Sequence, residues 1–186
     1  APSRLLARLA HLGVLGALHP PLARHKDVEP ELARLHHGIP QPQPLHYLAW
    51  LAYPLQPEEA EGLVVRLSMP KRWAAVVRDV VSARRAAPDL TEAASPGTVC
   101  RRLNGLSLEA LQVADALEAE TGVRERMTHY LEEWRTVRPL LTGRDLLKLG
   151  VAHGPRIGDL LDLLLEARLE GKTNTKADER AFIRQR

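Results

Sequence analysis

Apolar residues recur at helical spacing along nearly the whole chain. Residues 4–18 carry leucines three and four apart and end at His19-Pro20-Pro21. Residues 45–53 read as a short apolar helix stopped by Pro54. Residues 57–67 form the next helix, with Glu58, Glu59 and Glu61 placed to suit its positive N-terminal end. Pro70 opens a helix whose Trp73, Val76, Val77, Val80 and Val81 share one face. Valine favours strands, but this period is 3.6 rather than 2. Ser95-Pro96 starts a helix that ends at Asn104-Gly105, and Ser107 caps one that stops at Gly122. Val123, Met127, Tyr130, Leu131, Trp134 and Val137 predict an amphipathic helix ending before Pro139. No strand, internal repeat or low-complexity tract stands out. The pattern predicts an all-α fold, a bundle or right-angled array of about nine or ten helices.

The densest signal is the stretch LLTGRDLLKLGVAHGPRIGDLLDLLLEARLEG. Thr142 and Asp145 are spaced as a capping box for a short helix bearing Leu146, Leu147 and Leu149. Gly150 sits where a helix ends with positive φ, and Val151 plugs the turn. Gly154-Pro155 opens a longer helix, proline being suited to the first helical position. Ile157, Leu160, Leu161, Leu164, Leu165 and Leu169 give it a buried face, and Gly171 closes it. This layout predicts a helix-hairpin-helix. Free backbone N–H groups near Gly154, Arg156 and Ile157 would point outward with the positive end of the helix dipole. Gly158 has no side chain, so a phosphate or another backbone could approach. Arg144, Lys148, His153 and Arg156 surround that point, and Lys172 lies at the far end of the second helix. An anion site is one reading. The other is that the glycines serve helix packing and the cations are solvated surface. Thr175 is placed to cap a final helix with Asp178 and Glu179 in its first turn.

Two regions are predicted, a helical body over 1–138 and a tail over 139–186, with a possible sub-boundary in the proline-rich stretch 36–44. At 186 residues with 45% apolar content the chain can bury a core, and 4% aromatics makes that core leucine, alanine and valine. Arginine outnumbers lysine 21 to 5, read first as a coding bias. No apolar run is long enough to cross a membrane and no secretory signal is present. The single Cys100 cannot form an internal disulfide, which suits a cytoplasmic protein. Net charge is +3, unevenly spread: residues 135–186 carry eleven Lys/Arg against seven Asp/Glu, and residues 1–134 carry fifteen against sixteen. The basic end is the one expected to meet phosphates.

Arg135 and Arg138, three apart on the helix leading into the hairpin, extend the candidate phosphate surface or else pair with Glu132 and Glu133. Lys71, Arg72, Arg78, Arg84 and Arg85 form a second basic cluster. Few aromatics argues against single-strand readout and for recognition of a folded RNA by shape. The eight histidines lack metal-ligand spacing and read as surface or loop residues, so no metal site is assigned. Cys100 has no activating partner in sequence. No catalytic residue is assigned either.

The hairpin also resembles the C-terminal signature of bacterial tRNA nucleotidyltransferases of the poly(A) polymerase family, the class II, CCA-adding type. There the motif runs Thr-Gly-x-Asp-Leu, then Gly, then Gly-Pro-x-Ile/Val-Gly. Here it is Thr142-Gly143-Arg144-Asp145-Leu146, Gly150, and Gly154-Pro155-Arg156-Ile157-Gly158, with His153 replacing the first proline of the usual Pro-Gly-Pro. Residues 5–20 resemble more weakly the helix after the catalytic half of these enzymes, and residues 130–141 the segment entering the hairpin. The resemblance implies that the parent enzyme adds CCA, CC, A or poly(A) to RNA 3′ ends with Mg²⁺ and CTP or ATP. It also implies that the tail holds the tRNA elbow near the TΨC arm. The family's metal-binding Asp-x-Asp after a glycine turn is absent. The nearest acidic alternation is Asp27-Val28-Glu29-Pro30-Glu31, while Glu59/Glu61 and Glu118/Glu120 are expected on helices. A start at Ala1-Pro2 without Met, directly before a helix, is expected of a piece of a longer chain. No cofactor is assigned to this region, and alone it is expected to be inactive. Two other classes stay open: a standalone helix-hairpin-helix module binding DNA non-specifically, and a structural or dimerising helical domain.

Overall fold

A computed structural model of the chain describes residues 2–25 and 28–185. The helices are α1 (Pro2–His11), α2 (Val14–Leu18), α3 (Val28–Gly38), α4 (Pro44–Ala52), α5 (Pro57–Arg66), α6 (Lys71–Ala86), α7 (Pro96–Leu103), α8 (Leu108–Leu117), α9 (Thr121–Glu132), α10 (Gly143–Lys148), α11 (Pro155–Leu169) and α12 (Lys176–Arg184). Among the described residues there is no strand, and the fold is an all-α array. The extra helices over the sequence reading come from identifiable breaks. Gly13, at φ +71°, splits residues 4–18 into α1 and α2. Glu118 leaves the helical region at the end of α8, and α9 starts at Thr121, so Gly122 lies inside a helix rather than stopping one. Glu118 and Glu120 therefore sit in a connection, not on a helix; the Glu118 carboxylate accepts from the amides of Ala119 and Glu120 at 2.8 and 2.9 Å. α3 begins at Val28, runs over Pro30 in its first turn and continues through His36 and His37. Asp27, of the acidic alternation, lies outside the described residues, as does Ala1.

Three apolar clusters organise the array. In the first, α6 packs against α4, α5 and α8, and Val76, Val77, Val80 and Val81 are buried as their period requires. Trp73 is in the first turn of α6 and stays 44% exposed, while Ala74 takes the buried position there. Two histidines expected at the surface are buried instead. His25 lies against Trp50 at 4.3 Å between centroids, with Nδ1 3.1 Å from Glu31 and Nε2 3.0 Å from the Leu51 carbonyl. His46 Nδ1 accepts from the Gln43 amide at 2.8 Å, leaving Nε2–H to donate to Gln112 Oε1 at 3.0 Å. Both side chains are polar tips satisfied inside an apolar layer.

The second cluster joins Val99, Cys100, Leu103, Leu111, Met127 and Tyr130. The third holds Leu141, Leu146, Leu160, Leu164 and Ile183. α11 belongs to both: Leu165 packs in the second cluster, Leu160 and Leu164 in the third. Being one uninterrupted helix, it ties the third cluster to the second. The contact is close where α11 crosses α7. A Cβ on Gly97 would lie 2.7 Å from Glu166 Cγ and 2.9 Å from its Cβ, and Ser95 Oγ donates to Glu166 Oε1 at 3.1 Å. Gly97→Ala should therefore destabilise by about 1–3 kcal/mol through overpacking, against a helix-propensity gain of about 1 kcal/mol. Thermal melting checks this, and a stabilised variant would mean that Glu166 swings aside freely.

Candidate nucleic-acid interface

The capping boxes read from sequence are formed. Thr142 Oγ1 accepts from the Asp145 amide at 3.3 Å, and Asp145 Oδ2 accepts from the Thr142 amide at 2.9 Å. Thr175 and Asp178 repeat the arrangement at the start of α12. Hydrogen bonds hold both aspartates below the usual carboxylate range, first the Thr142 amide for Asp145 and the Asn174 amide, then that of Thr175, for Asp178. Gly150 has φ +91° and Gly154 φ +147°, conformations that side chains rarely adopt, so the turn between α10 and α11 requires glycine at both points. Leu146 is buried beneath this turn, Val151 and Ile157 pack against it, and Leu147 faces outward.

α11 differs from its neighbours in how it starts. It has no side-chain cap and no acidic residue in its first turn. The Ile157 amide, expected to be free, donates to the Gly154 carbonyl at 3.1 Å. The space where a Gly158 side chain would stand is open, with nothing within 4 Å. A Cβ on Gly143 would lie 3.2 Å from Ile157 Cγ2, so the start of α10 packs on the start of α11. Arg144, Lys148, His153 and Arg156 are all exposed and make no ion pair among the described residues. Lys148 is joined near Asp145 by Lys176, whose charge also reaches that carboxylate. The sequence reading did not single out Lys176; its place directly after the capping Thr175 was the available signal.

The remaining candidates stand apart from this cluster. Lys172 follows the C-terminal end of α11, about 22 Å along the helix from Gly154, and pairs with Glu170 at 2.5 Å. Arg138 donates to the carbonyls of Arg135 and Val137 at 2.8 and 2.7 Å. It lines a cleft of about 450 Å³ with Asn104, Thr142 and Asp162 between body and tail. Arg135 is half-buried, and neither arginine pairs with Glu132 or Glu133. In the second basic cluster, Arg78 is held by Glu61 at 2.7 Å, Arg72 by Glu109 at 2.9 Å, and Arg84 by the Leu55 carbonyl at 2.7 Å. Two of its five cations, Arg72 and Arg78, are thus paired with carboxylates.

No three His, Cys, Asp or Glu side chains converge among the described residues. Burial pushes the Cys100 thiol up to about 11, which keeps it protonated at neutral pH. Among the described residues no helix is long and apolar enough to cross a membrane.

This arrangement is a helical array of the kind found in CCA-adding enzymes. A CCA-adding enzyme in complex with ATP matches the whole chain with a TM-score of 0.72 at 18% identity, and an apo form matches it at 0.71 and 17%. The chain covers 46–47% of those proteins. By sequence, the chain is homologous to tRNA nucleotidyltransferases over most of its length. The A-adding tRNA nucleotidyltransferase of Geobacter sulfurreducens is 29% identical over 96% of the chain, and the CC-adding enzyme of Thermus thermophilus is 30% identical over 86%. The chain spans 22% and 32% of the lengths of those two relatives. No family model matches it.

Proposed function

We propose that this chain is the RNA-holding body and tail of a tRNA nucleotidyltransferase, and that α10 and α11 act as a helix-hairpin-helix on tRNA. The observation that carries the reading is the start of α11, uncapped, open at Gly158 and flanked by the exposed Arg144, Lys148, His153 and Arg156. Backbone amides and cations together suit a phosphate. On this reading the tRNA is gripped at its elbow, near the TΨC arm, and the grip sets the distance to a catalytic region of the parent enzyme. Arg135, Arg138 and Lys172 stand farther off and would contact more distant phosphates. Mg²⁺ and CTP or ATP belong to that other region, and no transfer step runs through the residues here. The chain alone has no nucleotide-transfer activity on this reading.

The test is binding to a folded tRNA at two salt concentrations. Arg156→Glu should weaken binding about tenfold, the size of one charged hydrogen bond, and lower the salt slope by about 1. An unchanged affinity would remove the phosphate site from α11. Equal affinity for duplex DNA of the same length would favour a non-specific DNA module instead. No binding with self-association would favour a dimerising domain.

A further inference from the structure

A second cationic surface lies on the first cluster, outside the tail. Ser3 near the start of α1 meets His36 near the end of α3, Oγ to Nε2 at 2.7 Å, and His36 Nε2 is also 3.2 Å from the Tyr47 hydroxyl. Between the two helices runs a groove of about 650 Å³ lined by Arg4, Ala7, Arg8, His11, Leu32 and Ala33. Arg4, Arg8 and His11 recur at i, i+4 and i+7, so they rise along one side of α1 over about 10 Å. All three are exposed, and none makes a hydrogen bond or ion pair among the described residues. Glu29 is the acidic side chain among the described residues that line the groove.

Arg4 and Arg8 repel each other at i, i+4, and Arg4 in the first turn opposes the helix dipole, whereas Arg8 and His11 in the last turn suit it. α6 shows the contrast, since Arg72 and Arg78 are answered there by glutamates. On α1 the cations make no ion pair among the described residues, although Glu29 shares their groove, so the ridge keeps charge free for an anion from outside. Arginine forks match phosphate oxygens two at a time. At about 10 Å the ridge is long enough to meet more than one phosphate of a strand.

We infer that the α1–α3 groove is a second RNA-backbone surface. Phosphates lie along Arg4, Arg8 and His11, and the sugar edge lies over Ala7, Leu32 and Ala33. This inference rests on the reading that the partner is RNA, but not on the tail being the only grip.

The experiment measures salt-dependent tRNA binding by the whole chain in four forms: unchanged, Arg4→Gln/Arg8→Gln, Lys148→Gln/Arg156→Gln, and all four substitutions. The two arginine side chains of α1 are exposed and make no hydrogen bond or ion pair within the described fold, so unchanged melting is expected for that variant. The groove variant should lose about two from the salt slope and at least tenfold in affinity, additively with the tail variant. If the groove variant binds like the unchanged chain while the tail variant fails, the groove inference falls and the tail reading stands. The reverse pattern removes the tail and keeps the groove. No binding by the unchanged chain at low salt removes both. If polyglutamate competes as well as tRNA for the tail-disabled form, the groove takes acidic protein and the inference is overturned.

Discussion

Glu179→Ala is expected to loosen the tail as a unit and cost about 3–5 kcal/mol of its stability. Glu179 is fully buried in the first turn of α12. Oε1 accepts from the Leu140 amide at 2.9 Å and Oε2 from the Leu141 amide at 2.7 Å. Arg168 of α11 approaches Oε1 at 3.9 Å, and its Nη1 makes no hydrogen bond, so that contact is Coulombic. One carboxylate thus fastens α12 to both the segment entering α10 and the helix that joins tail to body. Alanine would strand the buried Leu141 amide, the half-buried Leu140 amide and a partly buried guanidinium together. Amide exchange across 139–186 should show the loss there first, before the body opens. Glu179→Gln keeps the volume and one acceptor oxygen, so it should fall between the two. A Glu179→Ala chain with unchanged exchange in the tail would mean that water replaces the carboxylate at no cost.

The second large effect is expected in the body. Trp50→Ala should destabilise by about 3–5 kcal/mol, because it empties a fully buried site in the first cluster. It also removes the ring against which His25 lies and the Nε1–H that donates to Glu31 at 3.0 Å. Burial alone would raise the Glu31 carboxyl. The hydrogen bond and charge of His25, the Trp50 donor and the nearby Arg34 outweigh it and hold the carboxyl below its ordinary value of 4.5. A lowered carboxyl adds stability that is present above that ordinary value and is lost as pH falls through the folded one. Trp50→Phe keeps most of the volume and drops the donor, so its acid-unfolding midpoint should move upward. A midpoint at the same pH would show that the indole N–H contributes nothing to holding Glu31 ionised.

How far the sequence could be read depended on the range of the interaction. The capping pairs Thr142/Asp145 and Thr175/Asp178, the glycines at 150 and 154 and the valine face of α6 all act within one or two turns. Their residues carry the signal themselves. Glu179 shows the limit. In sequence it is an ordinary first-turn acid suited to a helix dipole. Only the arrival of residues 140 and 141 makes it a buried acceptor. His25 and His46 follow the same rule, since their partners Leu51 and Gln112 lie 26 and 66 residues away. The basic clusters looked alike along the chain. Packing separated them, by bringing Glu61 and Glu109 to α6 and leaving Arg144, Lys148, His153 and Arg156 open around α11.

By itself the sequence determined an all-α chain, the hairpin's caps and turns, and the resemblance that the homologous enzymes bear out. These rest on periodicity and on backbone conformations that a few residues dictate locally. The tertiary structure decided which polar side chains are buried, which cations keep their charge facing water, and how α11 joins two cores past Gly97. Those outcomes depend on contacts between residues far apart in the chain, which no local pattern encodes.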